Sequence, residues 1–249
     1  MPLASALLDF IFPPVCLACD AVISPGDPVR LVCGRCRARL PVMPGPGCPR
    51  CGASRLLTGR PADLLSCREC AAWPSALRAA RSACLLLPPA DRIVHQLKYR
   101  GWRALAEPMA ERMARLCLPE DAADARFVIP VPTTPARLRT RGYNQAELLA
   151  GAFARRTRRQ LFRALVRGTA SSSQTSLQPA ERGANVTGAF RCDSGAGRGL
   201  SAAHVLLVDD VLTTGATAGE CTRVLEEAGA RAVTLVTFAR APTVRAVPT

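Results

Sequence analysis

The stretch VLLVDDVLTTGAT, Val205 to Thr217, decides how the chain is read. Four apolar residues run into two adjacent carboxylates, Asp209 and Asp210, and then into a turn made of Thr, Gly and Ala. The apolar run has the length of a buried strand, and GATAGECTRVLEEAG (215–229) reads as a helix closed by Gly229. A carboxylate pair at the carboxyl end of such a strand stands at the rim of a sheet, where α/β proteins hold their ligands. A small-residue turn opening a helix exposes backbone N–H groups, and the helix dipole favours an anion there. Bulky side chains would bar the approach. Thr213, Thr214, Gly215, Ala216 and Thr217 therefore read as a phosphate cradle. Carboxylates repel phosphate but accept hydrogen bonds from vicinal hydroxyls. A phosphate next to sugar hydroxyls describes a ribose 5-phosphate.

Working outward, apolar strand-like runs alternate with helical patterns. Strands are expected at 83–87, 126–132, 161–167, 204–210 and 231–239, and helices at 90–101, 104–117 and 144–157. Residues 71–82, AAWPSALRAARS, read as a connector. Alternating strands and helices imply an α/β fold, a parallel sheet with helices on both faces. The loop after the strand 127–131 is expected to face the same site, and its Arg137, Arg141 and Asn144 suit phosphate oxygens.

Toward the N-terminus the texture changes. Eight cysteines fall in four Cys-x-x-Cys pairs, Cys16/Cys19, Cys33/Cys36, Cys48/Cys51 and Cys67/Cys70. Such a knuckle aims two thiolates at one tetrahedral ion, and two knuckles close a Cys₄ site. The gaps, 13 residues between the first two pairs and 15 between the last two, suit a zinc ribbon. Two structural zinc ions in a small cysteine-rich double ribbon are expected. Pairing in sequence order is our choice, with an interleaved arrangement (first with third, second with fourth) left open. A disulfide framework would need an oxidising compartment and a secretion signal. Cys84, Cys117, Cys192 and Cys221 are solitary and read as small hydrophobes. The division expected is residues 1–75 as the ribbons and 76–249 as the α/β domain.

The 249 residues carry a formal charge of +14, and the only Lys is Lys98. That excess favours a polyanionic partner or a phosphorylated ligand. Ten arginines (137, 139, 141, 155, 156, 158, 159, 163, 167 and 182) face only Glu147 and Glu181 across residues 137–182. No apolar run approaches the ~20 residues of a membrane helix. The N-terminal stretch contains Asp9 and no basic segment, so it reads as a short amphipathic helix over Leu3–Phe12 and not as a signal peptide. A cytoplasmic protein without membrane insertion is expected.

The VLLVDDVLTTGAT stretch resembles the diphosphoribosyl-binding motif of type I phosphoribosyltransferases. With LKYRG (97–101), PVPTTPARLRTRGYNQAELLA (130–150), SSQTSLQPAERGANVTGAF (172–190) and the double ribbon, nearly the full length resembles the ComF family. The resemblance implies a type I phosphoribosyltransferase fold that binds phosphoribosyl pyrophosphate (PRPP). Asp209 and Asp210 would hold its ribose hydroxyls as the catalytic pair, and Thr213–Thr217 its 5-phosphate. Arg137, Arg141, Asn144 and Lys98 would lie toward the pyrophosphate, which brings magnesium with it. Residues 168–190 would form a mobile lid with Gln174, Thr175, Arg182 and Asn185 as its working side chains. One departure stands out. Where enzymes for 6-oxopurines begin this turn with a base-reading Asp, the chain has Thr213.

Three functions are weighed. The first is a magnesium-dependent phosphoribosyltransferase, working by positioning and electrostatics. The second is a competence factor that binds single-stranded DNA and meets DNA-uptake proteins, as the family's place in natural transformation implies. The third is a PRPP-sensing regulator without turnover. The intact Asp pair favours the first and third, and the local positive charge favours the second.

Overall fold

The computed structural model describes residues 12–24, 26–54, 67–168, 188–193 and 195–242. The lid side chains Gln174, Thr175, Arg182 and Asn185 lie outside these residues, as does the expected N-terminal helix apart from Phe12. The described strands are β1 (Leu77–Leu85), β2 (Phe127–Pro130), β3 (Gln160–Leu161), β4 (Leu165–Arg167), β5 (Phe190–Cys192), β6 (His204–Leu212) and β7 (Ala232–Arg240). The helices are α1 (Gly34–Ala38), α2 (Ala90–Tyr99), α3 (Ala106–Met113), α4 (Pro135–Arg141), α5 (Gln145–Thr157), α6 (Gly197–Leu200) and α7 (Ala216–Glu227).

Five strands form one sheet in the order β1-β7-β6-β2-β3, and every neighbouring pair is parallel. All nine positions of β7 are buried, which is how a strand covered on both faces must be built. Alternation along the strands sorts the side chains. Leu206, Val208, Val236 and Phe238 join one core with Ile93 and Leu97 of α2, Met109 and Met113 of α3, and Leu149 and Phe153 of α5. Val205, Leu207, Val233 and Leu235 join the other with Ala218, Cys221 and Leu225 of α7. The expected α/β architecture with a parallel sheet stands.

Three local expectations differ. Residues 77–82 are no connector: they begin β1, which pairs with β7 from Leu77↔Val233 to Leu85↔Arg240. Alternating Ala and Arg carry no apolar run, so only the neighbouring strand reveals this one. The run 161–167 is not one strand. Its first residue ends β3, the chain leaves the sheet, and Leu165–Arg167 pairs antiparallel with β5. This hairpin lays Leu165 and Phe190 over the second core, so burial there outweighs continuing an edge strand. The loop after β2 contains α4, capped by the Thr134 side chain, started by Pro135 and ended by Gly142 at φ 77°. None of its residues is buried, which is why no apolar period announced it.

The cysteines group in sequence order. Cys16, Cys19, Cys33 and Cys36 form one cluster and Cys48, Cys51, Cys67 and Cys70 the other, with the sulfurs of each within 4.8 Å of one another. Sulfur pairs at 3.8 Å (Cys19, Cys33), 3.6 Å (Cys51, Cys67) and 3.9 Å (Cys48, Cys70) match the edge of a ZnS₄ tetrahedron, about 3.8 Å for Zn–S bonds near 2.3 Å. Backbone N–H groups donate to the sulfurs as they do to thiolates: Cys33 to Cys16 Sγ at 3.3 Å, Cys36 to Cys33 Sγ at 3.4 Å, Cys51 to Cys48 Sγ at 3.5 Å. Burial would raise the Cys16 thiol, but N–H donors from Cys33, Ala18 and Cys19 outweigh it and lower it to about 7. Burial pushes Cys70 up to about 12, helped by the charge on Cys48. Four sulfurs so placed cannot all ionise unless a cation sits among them. Both groups fit structural zinc.

The ribbons are not appendages in packing terms. Cys16, Ile23, Val32 and Leu40 belong to the first core, and Cys48, Cys51, Cys70 and Trp73 to the second. Gln96 of α2 donates to the Leu17 carbonyl at 3.3 Å, and Arg240 of β7 to the Cys51 carbonyl at 2.9 Å. Among the described residues no helix is long and apolar enough to cross a membrane.

Native mass spectrometry should find two zinc ions per chain, falling to one in Cys16→Ser or Cys51→Ser. Because each metal group shares a sheet face, chelation should lower the melting temperature of the whole chain in one cooperative step, by more than about 10 °C. A separate ribbon transition that leaves the main one in place would contradict this.

Candidate functional site

Strand β6 carries Asp209 and Asp210 near its carboxyl end, and the chain then turns through Thr213–Gly215 into α7. Gly215 is the helix cap at φ 84°, a left-handed conformation that favours glycine. It also has no room for a side chain, since a Cβ there would lie 2.6 Å from the Trp73 indole. Thr213, Thr214 and Ala216 are exposed. The first turn of α7 has no acidic residue and no side-chain cap. Its N-terminal amides therefore face outward with the positive end of the dipole unmasked. The Ala216 N–H is only weakly engaged, with Thr214 Oγ1 at 3.4 Å.

The two carboxylates are not equivalent. Strand alternation sends them to opposite faces. Asp210 is 3% exposed, and its Oδ2 lies 2.8 Å from Lys98 Nζ at the end of α2. Lys98, expected toward a pyrophosphate, is thus the counter-ion of Asp210. Asp209 remains partly exposed and accepts the Asp210 backbone N–H at 2.8 Å. Burial and then the neighbouring Asp210 charge push the Asp209 carboxyl well above the usual carboxylate range. That N–H and the more distant Lys98 only partly offset this. Arg167 of β4 lies in the field of Asp209 and of Arg137, with its guanidinium 4.9 Å over the Phe190 ring.

The remaining expected residues divide. Arg137 is exposed on α4. Arg141 donates to the Gln145 side chain and lies 5.4 Å over the Tyr99 ring. Asn144 caps α5: its Oδ1 accepts from the Ala146 N–H at 3.2 Å and its amide donates to the Val131 carbonyl at 3.0 Å. It thereby fixes the path of the chain out of β2. Tyr99 is 67% and Trp102 43% exposed, and Leu138 of α4 is exposed as well. The arginine run closing α5 is largely committed within the fold. Arg155 and Arg156 pair with Glu107, and Arg159 donates to the Ala125 and Ala123 carbonyls. Sequence reasoning missed two residues here. Trp73 was read as part of a connector, and Arg167 only as one charge among ten.

The inequality of the two carboxylates is measurable. A folded-state pKa raised above the unfolded value means stability is lost as pH rises through the folded pKa. Asp209→Asn should therefore leave the melting temperature at pH 7.5 unchanged or a few degrees higher, with the gap closing as pH falls toward 4. Asp210→Asn strands Lys98 and should lower it by about 3–10 °C, for a loss of about 1–3 kcal/mol from a pair with one partner near solvent. Thermal unfolding between pH 4 and 8 checks both, and like behaviour of the two variants would refute the asymmetry.

Comparison with known proteins agrees with this architecture. The family model described as double zinc ribbon domain matches residues 7–72. The chain is 31% identical over 195 residues to the DNA utilization protein YhgH of Salmonella typhi, covering 75% of this chain and 80% of that protein. It is 27% identical over 232 residues to the competence protein ComFC of Bacillus subtilis, covering 86% and 90%. Over 152 residues it is 32% identical to competence protein F of Haemophilus influenzae, covering 61% of each. With that likeness running through the ribbons and the sheet alike, the chain belongs to the ComF family.

Proposed function

We propose that the chain is a phosphoribosyltransferase-like protein that binds PRPP with magnesium at the end of β6 and serves DNA uptake or utilisation. One observation carries the first half. Asp209, a half-buried residue whose carboxyl is pushed up by burial, and an uncapped helix N-terminus without acidic residues stand on one strand–turn–helix. In this reading the 5-phosphate sits on the Thr213–Thr217 amides, and Asp209 accepts the ribose hydroxyls. Asp210 acts through its charge, held by Lys98. Arg137 and Arg141 stand toward the pyrophosphate, with Arg167 on the other side of Asp209. Magnesium enters as counter-ion of the pyrophosphate. In a transfer reaction the C1–O bond breaks with its electron pair going to pyrophosphate, and the acceptor supplies the pair for the new bond at C1. Residues 1–75 serve as scaffold to the phosphoribosyltransferase-like segment 76–249. Eight thiols shared between two zinc ions suit a reducing, cytoplasmic setting.

The names of the relatives, DNA utilization protein and competence protein, support the second half. A specific observation favours direct contact with single-stranded DNA. Helix α4 buries nothing and carries Arg137, Arg139 and Arg141, the last lying over the exposed Tyr99 ring, and Trp102, also exposed, follows Tyr99 by three residues. A basic surface with exposed aromatic rings is what stacked single strands need. The arginines at the end of α5 are poor candidates, because Arg155 and Arg156 already have a carboxylate partner.

PRPP with magnesium should raise the melting temperature by mass action on the native state. Asp209→Asn should abolish that rise, because charge-assisted bonds to hydroxyls are worth roughly 1.5–3 kcal/mol each. Full stabilisation of the variant would remove Asp209 from the ribose. Pyrophosphate release with a panel of nucleobases and oligonucleotides then separates an enzyme from a sensor, since a sensor binds and releases none.

Oligo-dT should bind with a steep salt dependence. Tyr99→Ala with Trp102→Ala should weaken binding by at least about tenfold, at roughly 1–3 kcal/mol per stacked base. Arg155→Ala with Arg156→Ala should change it far less. The opposite ranking in fluorescence anisotropy would move the strand to the end of α5.

A further inference from the structure

Trp73 follows the last cysteine of the second zinc group by three residues, and the local chain leaves it little freedom. Its N–H donates to the Cys70 carbonyl at 3.2 Å. Arg50, set between Cys48 and Cys51, donates to the carbonyls of Cys70 at 3.1 Å, Trp73 at 3.2 Å, Pro74 at 2.6 Å and Leu77 at 3.1 Å. Its guanidinium carbon also lies 5.9 Å from the Trp73 ring. The knuckle that ends in the metal ligand Cys70 thus fixes the backbone from which the indole projects.

The indole reaches the turn before α7. Its Nε1 donates to the Thr214 carbonyl at 3.1 Å, across 141 residues of chain. Its ring fills the space above Gly215 that any Cβ would occupy, and Pro74 closes on Gly219 in the same way, 3.3 Å from a Cβ position. Trp73 itself is 8% exposed, so its ring is held within the fold while the contact with Thr214 is part-buried. A trans peptide is planar and points its C=O and its N–H in opposite directions. Tying the Thr214 carbonyl to Trp73 therefore turns the Gly215 N–H away from the ribbon, to the outer side where α7 begins. Glycine on its own would leave that peptide free to flip, since it accepts either sign of φ.

We propose that Trp73 is a positioning residue for the phosphate cradle: anchored by the second zinc knuckle, it holds the Thr214–Gly215 peptide with its N–H toward the bound 5-phosphate. The inference rests on the PRPP reading and assigns the second ribbon a task at that site. It also explains why an indole stands here. A phenyl ring would fill the space above Gly215 but offer the carbonyl no donor.

The test uses the full zinc-loaded chain and calorimetry with ribose 5-phosphate, PRPP–magnesium and inorganic pyrophosphate–magnesium. Trp73→Phe should keep two zinc ions and a cooperative melt. It should lose about ten- to a hundredfold in affinity for ribose 5-phosphate and PRPP, the worth of one charge-assisted bond. Pyrophosphate, which does not need this amide, should bind as before. A loss of general fold quality would weaken all three ligands together, and that result overturns the proposal. So does unchanged ribose 5-phosphate affinity, while PRPP binding by the wild type would leave the underlying reading intact. If the wild type binds neither PRPP nor ribose 5-phosphate, both fall. Trp102→Phe leaves Trp73 as the sole indole, and its emission should then shift when ribose 5-phosphate binds. Binding without any shift would place the ligand away from the turn and likewise reject the assignment.

Discussion

Four cysteine sulfurs can share a small space only around a cation, and this fold imposes that constraint twice. One cluster closes the face of the sheet covered by α2, α3 and α5, and the other closes the face covered by α7. Neither core is complete without its ribbon. Ile23, Val32 and Leu40 would otherwise be missing from the first, and Trp73 with the buried cysteines from the second. The metal groups are small in mass, yet they sit where the two hydrophobic layers end. The placement of the candidate site follows from them, because its turn is packed from below by a residue of the second ribbon.

The electrostatics of the site come from one strand used on both of its faces. Adjacent carboxylates along β6 meet different surroundings. Lys98 reaches one of them at contact distance, while the other has a pKa raised by burial and by its neighbour. A buried charge with a partner is part of the scaffold, and an acid held in an unfavourable setting is the candidate for a binding role. The same distinction applies to the arginines. Those joined to Glu107 or to backbone carbonyls belong to the fold, whereas α4 presents its arginines on a helix that covers nothing.

How far the chain could be read beforehand depended on the range of each interaction. The knuckles were legible because a Cys-x-x-Cys pair defines half a metal site within four residues, whereas the choice between sequential and interleaved pairing was open in the sequence and is shown by the fold. Val205–Thr217 was legible for the same reason: strand, turn and helix signals lie in one unbroken stretch. Helix α4 had its Thr-Pro start and Gly stop in plain view but lacked the apolar period that marks a packed helix. Strand β1 was hidden because Ala and Arg become a strand only when β7 supplies the ladder. The role of Lys98 and the contact of Trp73 with the turn were out of reach, since each joins residues over a hundred positions apart. Charge counting treated every arginine alike, and only the carboxylates and backbone carbonyls brought near by folding tell them apart.

The sharing of both cores with the ribbons has a consequence for how a cell keeps this protein. The ribbons precede in the chain the sheet they complete, so on synthesis early metal capture would give the later strands their cover. An unmetallated chain would expose both apolar faces at once. Such a chain is a substrate for aggregation and proteolysis and not a folded protein lacking an ornament. Zinc supply would accordingly govern how many copies exist, and a starved cell would show fewer molecules of ordinary behaviour instead of a full complement of impaired ones.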